Sequence, residues 1–288
     1  MKTYKIMERK IIWFSISLAI IFAGLISIAV HGLNWGIDFT GGTILHYSVG
    51  QSYELTDIRK TMTDLNIKDF EAKKAGDEGD ELIIRTVVLT KDEQAKITES
   101  LKGKFPKLEL IRAEKVDAVI GSELRRQAII ALIIANLLML VYISFRFELK
   151  SGIAAVLALL HDVLIVISWY AIFNVPVDSS IIAVILTVVG YSINDTIVVF
   201  DRIRENMKTM RKISFNEIAN LSIVQTLTRS INTSLTTLLT IIALNLFGGE
   251  TIKDFTMALI IGIVSGTYSS IFIASPLWSM WRKGTKTA

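Results

Sequence analysis

The sequence has no cysteine, only three prolines in 288 residues, and few charges inside its long apolar stretches. Without cysteine the chain has no disulfide, no thiolate nucleophile and no cysteine-ligated metal site. It also contains no glycine-rich phosphate-binding loop, so nucleotide hydrolysis is not its evident energy source. We expect no cofactor and no metal, because no ligand pattern for either occurs. The net charge of +4 includes no basic block, which indicates membrane topology signals and no nucleic-acid partner.

Hydrophobic residues make up 51% of the chain. A bilayer core is crossed by about 20 apolar residues in a helix. Runs of this kind lie at 11–30, 127–145, 152–173, 181–200, 231–248 and 255–278. The first follows several lysines and arginines, but its apolar stretch is longer than a signal-peptide core, which indicates an uncleaved anchor. The sequence therefore predicts an α-helical polytopic membrane protein with six transmembrane helices surrounded by membrane lipid.

Lysine and arginine are concentrated in the N-terminus, the 146–151 loop, the 201–230 segment and the 279–288 tail, whereas 174–180 has neither and 249–254 has one lysine. Basic loops remain on the cytoplasmic side of a membrane. All of them fall on one side if both termini are cytoplasmic. The predicted organisation is a cytoplasmic N-terminus and first helix (1–30), an extracytoplasmic domain (31–126), a five-helix bundle (127–278) and a basic cytoplasmic tail (279–288).

Residues 31–126, which we call the outer domain, show a strand and helix pattern of their own. Alternating runs predict strands, and apolar positions at helical spacing predict two helices. The strands are 40–49, 67–74, 81–89 and 108–119, and the helices are 54–66 and 91–104. The order βαββαβ is the ferredoxin-like α+β pattern. We find no nucleophile and base pattern in it, so we expect contact with a partner, not catalysis.

The 201–230 segment contains Ser214 and Glu217, the two positions of a helix-capping box. The apolar residues that follow, such as Ile218 and Leu221, are spaced as on one helix face. We expect a short amphipathic helix lying on the cytoplasmic membrane surface.

Ionisable groups inside the apolar runs are the main functional signal, because each costs about 2.5–3.5 kcal/mol to insert. Asp195 lies deep in the fourth run beside Asn194, and Arg229 lies at the start of the fifth. Burial favours the neutral form of a carboxyl group and a nearby cation favours its charged form. The pair is either a proton or ion relay or a static link between two helices.

The third run carries His161 and Asp162 near its middle. The histidine is either a packing residue or a relay member, and the aspartate, which faces about 100° away on the helix, is expected to pair within the bundle. The sixth run carries a stripe of small residues that includes Gly262 and Gly266. Such stripes allow close helix packing, here either within the chain or against a second subunit.

Two motifs give the chain a resemblance to a known family. One is Trp35-Gly36-Ile37-Asp38-Phe39-Thr40-Gly41-Gly42-Thr43, and the other runs from Gly190 to Arg202 around Asp195. With His161-Asp162 and Arg229–Ser234, they resemble the SecF family of bacterial protein-export subunits over nearly the whole chain.

The resemblance implies a member of the resistance-nodulation-division superfamily in the bacterial cytoplasmic (inner) membrane. It implies a SecD partner and a non-enzymatic role in which the proton-motive force assists late steps of export through the SecYEG channel, after the SecA motor has moved the preprotein. Asp195 and Arg229 match the family's proton pathway, to which we assign Asn194, Asp162 and His161 as well. The residues Gly36, Asp38, Gly41 and Gly42 form the family motif at the outer membrane boundary.

Three other interpretations are possible from the sequence. The chain is half of another proton-coupled exporter of the same superfamily, or a structural assembly factor of the translocase, or an intramembrane aspartyl protease. The last is disfavoured because Asp162 follows a histidine and Asp195 follows an asparagine, where that class of protease has tyrosine and glycine.

Overall fold

The computed structural model describes residues 5–67, 69–76, 79–116, 118–146, 148–210 and 213–282. Within these residues, six helices are long and apolar enough to cross a membrane, which confirms the six predicted spans. The spanning helices are α1 (Lys10–His31), α5 (Ala118–Arg146), α6 (Leu149–Ile172), α7 (Ser180–Thr209), α8 (Phe215–Phe247) and α9 (Lys253–Ser269), the last continued by a π-helical turn (Ser270–Ala274) and α10 (Ser275–Trp281).

The predicted ferredoxin-like domain is present between α1 and α5. A one-turn helix, α2 (Ile37–Thr40), precedes it. The domain consists of β1 (Gly42–Ser48), α3 (Leu55–Asp64), β2 (Phe70–Ala75), β3 (Glu81–Thr86), α4 (Lys91–Lys104) and β4 (Glu109–Val116). The strands form one antiparallel sheet in the order β2-β3-β1-β4. This arrangement confirms the βαββαβ order.

The core of this domain is formed by every second residue of its strands, because alternate side chains point to the same face of the sheet. Alternate residues of β1 and β3, such as Leu45 and Ile84, are fully buried. They pack with Ile58 and Met62 of α3 and with Leu101 of α4 in one cluster. Each such side chain contributes about 1.5–3 kcal/mol when it is buried, so the domain has a core independent of the membrane.

In the bundle, α6 and the last span are the central helices. In the most apolar 18-residue stretch of each of these two spans, 61% of the residues are buried within the chain, compared with 11% for α1 and α8 and 6% for α5. The small-residue stripe explains the close approach of α9 to α7. A Cβ atom on Gly262 would lie 2.1 Å from Val188, and one on Gly266 would lie 2.8 Å from Ser192. The stripe therefore packs within the chain.

The expectation for 201–230 is wrong in one respect. The capping box at Ser214 and Glu217 is present and begins a helix. That helix is α8 itself, which runs without a break to Phe247, and no separate surface helix occurs in the described part of the segment. The apolar residues Ile218 and Ile223 are buried against the bundle core. An amphipathic pattern shows that one face is covered, and here protein covers it.

Both described ends of the chain lie at the end of the bundle opposite the outer domain. The backbone N–H groups of Ile6 and Met7 donate to Asn220 Oδ1. Arg282 Nη1 lies 3.2 Å from Glu148 Oε1, in the connection between α5 and α6. These contacts bring the two ends to the same side of the six spans.

We predict that Gly262→Ala destabilises the bundle by about 1–3 kcal/mol, the usual cost of inserting a methyl group into a packed core. Gly190→Ala is the matched control in α7, because a Cβ atom there meets nothing within 4 Å. The measurement is thermal unfolding of each purified chain in detergent. Equal stability of the two variants would contradict the packing described for α7 and α9.

Candidate functional site

Two aspartates are buried in the bundle, and their surroundings differ. Asp162 in α6 is fully buried and accepts three hydroxyl hydrogen bonds, from Ser192 of α7 at 2.6 Å and from Ser265 and Ser269 of α9 at 2.6 and 2.7 Å. His161 Nδ1 lies 3.0 Å from the same carboxyl group. A buried carboxylate with this many donors has its hydrogen-bonding capacity largely satisfied.

His161 extends this network to the first span. Its Nε2 atom lies 2.8 Å from the hydroxyl of Ser17 in α1, and its ring stacks on Tyr268. Although neighbours on a helix point about 100° apart, the imidazole turns back to Asp162. Both ring nitrogens have partners, so His161 joins α1 to a network that also contains α6, α7 and α9. We call His161, Asp162 and their four serine partners the Asp162 network.

Asp195, in the fourth span, lacks such donors. It is 6% exposed, and its Oδ2 atom has no hydrogen-bond partner among the described residues. Ser230 of α8 lies nearby, but neither its hydroxyl nor Asp195 Oδ2 makes a hydrogen bond of normal geometry. An unsatisfied buried polar atom of this kind costs about 1–3 kcal/mol. No hydrogen bond connects Asp195 to the Asp162 network in the described part of the chain.

The expected pairing of Arg229 with Asp195 is found only in part. Its charge interacts with Asp195, yet within the described residues the two form no ion pair at 4.0 Å or less. Arg229 is exposed on α8, one residue before Ser230. The aspartate is thus covered by the bundle, while the arginine lies at the surface of the chain.

Other polar groups continue this surface along both helices. They are exposed in the isolated chain although they lie in spanning helices: Thr187 and Asn194 of α7, and Arg229, Asn232, Thr233, Thr236 and Thr240 of α8. We call this set the polar strip. Tyr191, on the same side of α7 as Asn194, has a hydroxyl without a described partner. Polar side chains facing lipid are costly, so the strip is suited to contact with another protein.

The motif at Gly36–Gly42 attaches the outer domain to the loop between α6 and α7. Asp38 Oδ2 accepts hydrogen bonds from the backbone N–H and the hydroxyl of Ser179, at 2.9 and 2.6 Å. The N–H of Gly36 donates to the carbonyl of Val177 at 2.8 Å. The carboxylate lies at the start of α7, where a negative charge is favoured by the helix dipole.

The two consecutive glycines of the motif are required by geometry. Gly41 has φ +75°, a conformation that side chains disfavour. Gly42 begins β1, and a Cβ atom there would lie 2.3 Å from the carbonyl oxygen of Thr86. These constraints produce a tight turn into the first strand, with Asp38 as the docking group before it.

Sequence reasoning did not identify the serines around Asp162. Serines are common in membrane helices, and the four come from three different spans. One local signal existed: Ser265 and Ser269 are four residues apart and therefore share a face of α9. The π-helical turn was also missed. Within it, Ser270 bonds to Thr196, which follows Asp195, with 2.8 Å between the hydroxyl oxygens. π-helical turns often occur at functional sites.

We predict that Asp162→Ala lowers the free energy of unfolding by about 3–5 kcal/mol, as the removal of one member of a buried charged network does. The variant removes the shared acceptor of Ser192, Ser265 and His161, and it leaves Ser269 only its longer contact of 3.2 Å with the Gly266 carbonyl. Asp195→Ala is the control at similar burial, with a clearly smaller expected loss. Denaturant unfolding in detergent measures both. A larger loss for Asp195→Ala would contradict the difference between the two sites.

Comparison with known proteins bears on this arrangement. Residues 96–284 match the family model "Protein export membrane protein SecD/SecF, C-terminal", and residues 26–52 match the SecD/SecF GG motif. Protein translocase subunit SecF of Sebaldella termitidis is 42% identical, covering 98% of this chain and 93% of its own length. That of Acidaminococcus fermentans is 38% identical, covering 99% and 100%.

Solved structures give the same result for the fold. The crystal structure of SecDF, a translocon-associated membrane protein from Thermus thermophilus, superposes with a TM-score of 0.86 at 35% identity, over 98% of this chain and 39% of the SecDF chain. SecDF in its super-membrane-facing form gives 0.75 over the same shares. This chain therefore spans about two-fifths of those SecDF chains. It belongs to the SecF family of protein translocase subunits.

Proposed function

We propose that this translocase subunit couples proton movement through the membrane to late steps of protein export, together with a SecD partner. The observation that carries the proposal is the contrast between the two buried aspartates. Asp162 has its hydrogen-bonding capacity filled, whereas Asp195 retains an oxygen without a partner next to Ser230. A carboxyl group without fixed donors can change its protonation state without breaking the packing of the bundle.

The roles of the five predicted pathway residues divide accordingly. Asp195 takes up and releases the proton, Arg229 adjusts that equilibrium by its charge, and Asn194 lies on the exposed side of the same helix. Asp162 and His161 hold α7, the helix that carries Asp195 and Asn194, in its position. Because Asp195 is close to the chain surface formed by the polar strip, the proton reaches it between this chain and its partner.

The exposed groups of the polar strip are the evidence for a SecD partner. The strip includes Arg229 and several hydroxyls on α8, and only 11% of the residues in the most apolar 18-residue stretch of that helix are buried within the chain. A homologous set of spans would cover these groups and supply donors and acceptors that lipid lacks. Protein translocase subunit SecDF of Bacillus subtilis matches this chain over only 37% of its length, so that chain has room for a SecD-like part.

The same-side termini and the distribution of basic residues support a cytoplasmic location for both ends and an extracytoplasmic outer domain in the inner membrane. Along α7, Asp195 lies about 9 Å from Asp201 in the direction of the outer domain, at a rise of 1.5 Å per residue.

We assign SecYEG and a SecA-driven preprotein as the further partners. One elementary charge crossing 100 mV releases about 2.3 kcal/mol, so a few protons per cycle are enough to shift a domain between two positions.

We predict that Asp195→Asn inserts, folds and binds its partner, but loses the gradient-dependent part of export. Asparagine keeps the size of the side chain and removes the exchangeable proton. The measurement is late-step export in sealed vesicles with and without a proton gradient. Asp201→Asn, at the cytoplasmic end of the membrane-spanning part of the same helix, is the control and should respond as wild type does. An equal gradient response of wild type and Asp195→Asn would favour the structural assembly role.

We also predict that Arg229→Met impairs gradient-dependent export at least tenfold, since the cation that adjusts Asp195 is lost. Arg229→Lys retains the charge and should recover part of the activity. Unfolding of both variants is measured in parallel, because Arg229 is exposed in the isolated chain and little stability should be lost there. Full export by a stable Arg229→Met protein would remove Arg229 from the mechanism.

A further inference from the structure

The outer domain contacts the bundle at two main places, in addition to an ion pair of 3.9 Å between Arg85 of β3 and Asp178 before α7. One is the motif described above, where Asp38 docks on Ser179 and the chain itself connects the two parts. The other lies between β2 and the start of α9, where Lys73 Nζ is 2.5 Å from Asp254 Oδ2. Lys73 also lies 3.1 Å from Glu71 on its own strand. The second contact is made by side chains far apart in the sequence.

This second contact depends on charge. A cavity of about 200 Å³ lies between the sheet and the bundle, lined among others by Glu71, Lys73, Arg85, Asp178 and Asp254. The apolar residues that also line it, such as Ile83 and Phe255, are half-buried. The two side chains of the pair are 31% and 36% exposed, so water reaches them and the pair can open without exposing a hydrophobic core.

The electrostatics of Lys73 agree with its position. Burial disfavours its charged form, but the hydrogen bond to Asp254 and the negative charges of Glu71 and Asp254 outweigh this effect, and the pKa of Lys73 is raised. The lysine is therefore a stable cation while the contact is closed.

Helix α9 connects this contact with the membrane site. Asp254 lies in its first turn, and Ser265 and Ser269 farther along donate to Asp162. The helix runs about 22 Å from Asp254 to Ser269, at 1.5 Å per residue. Beyond it, Ser270 bonds to Thr196, the neighbour of Asp195. One helix thus contacts the outer domain at one end and the surroundings of Asp195 at the other.

We propose that Lys73 and Asp254 are positioning residues of the export cycle, forming a latch that holds the outer domain on the bundle and must open in each cycle. The motif at Asp38 is the hinge about which the domain then moves. This inference rests on the proposed function, because α9 transmits the change at Asp195 to the latch.

The absence of cysteine makes the latch directly testable. Lys73→Cys and Asp254→Cys are introduced together in the full chain and assembled with SecD in vesicles. They are joined by a bis-methanethiosulfonate crosslinker that a reductant cleaves, because the original side chains bridge a longer gap than a disulfide spans. The control joins Arg112→Cys to Glu114→Cys, which replace an ion pair within strand β4.

With the latch residues linked, late-step export is expected to fall at least tenfold and to recover when the link is reduced. The linked control should export at its unlinked rate. Export that is unchanged by the 73–254 link would overturn the proposal. Linked and reduced protein are compared at the same constant proton gradient, with Asp195 unchanged in both, so the outcome is separate from that of the Asp195→Asn experiment.

Two further measurements exclude a merely structural role. Lys73→Asp should reduce export several-fold and the exchange Lys73→Asp with Asp254→Lys should restore it; wild-type export by the single variant would contradict the latch. The rate of 73–254 linking should also fall when a gradient is applied, and not in an Asp195→Asn background. A linking rate that is the same with and without the gradient would contradict the connection through α9.

Discussion

The arrangement of the bundle depends on the hydrogen bonds made by one buried acidic side chain. Asp162 lies in the central helix α6, where bringing a carboxylate into the interior costs several kcal/mol unless donors meet it. Hydroxyls from α7 and α9 and the imidazole of His161 supply those donors. Since each donor is directional, the three helices are fixed in rotation and in depth. The glycines of α9 allow its close approach to α7, whose Ser192 donates to the same carboxyl group.

This rigid centre lies next to an acidic side chain whose hydrogen bonding is incomplete. Asp195 lies on α7, three residues after Ser192, so the helix that carries it is held in position by the Asp162 network. Its own carboxyl oxygen has no partner among the described residues. A fixed scaffold with a single unsatisfied acid can respond to a proton at that acid, because other bonds need not be rearranged first. The same α9 that completes the scaffold extends to the outer domain at Asp254.

The sequence predicted those features that depend on local periodicity. The six spans and the βαββαβ order follow from runs and alternations within single elements, and the Ser214 capping box correctly marked a helix start. The surface position of the 201–230 segment was wrong, because amphipathicity does not tell whether protein or membrane covers the apolar face. Asp195 and Arg229 were identified because charge is rare in spans, but their close ion pairing was not observed.

Contacts between distant segments were beyond this reasoning. The donors of Asp162 lie 30, 103 and 107 residues away in sequence, and Lys73 is 181 residues from Asp254. Neither serines in a helix nor a lysine in an exposed strand carry a local signal of such partners. The docking of Asp38 on Ser179, 141 residues away, likewise has no local signal.

The central claim is that Asp195 is the group that exchanges the proton. Infrared difference spectroscopy of the SecD-bound chain tests it most directly, by recording the carboxylic-acid C=O band as pH is changed in the membrane. The account predicts a band change that is absent in Asp195→Asn and present in Asp201→Asn. A band change that persists undiminished in Asp195→Asn would contradict it.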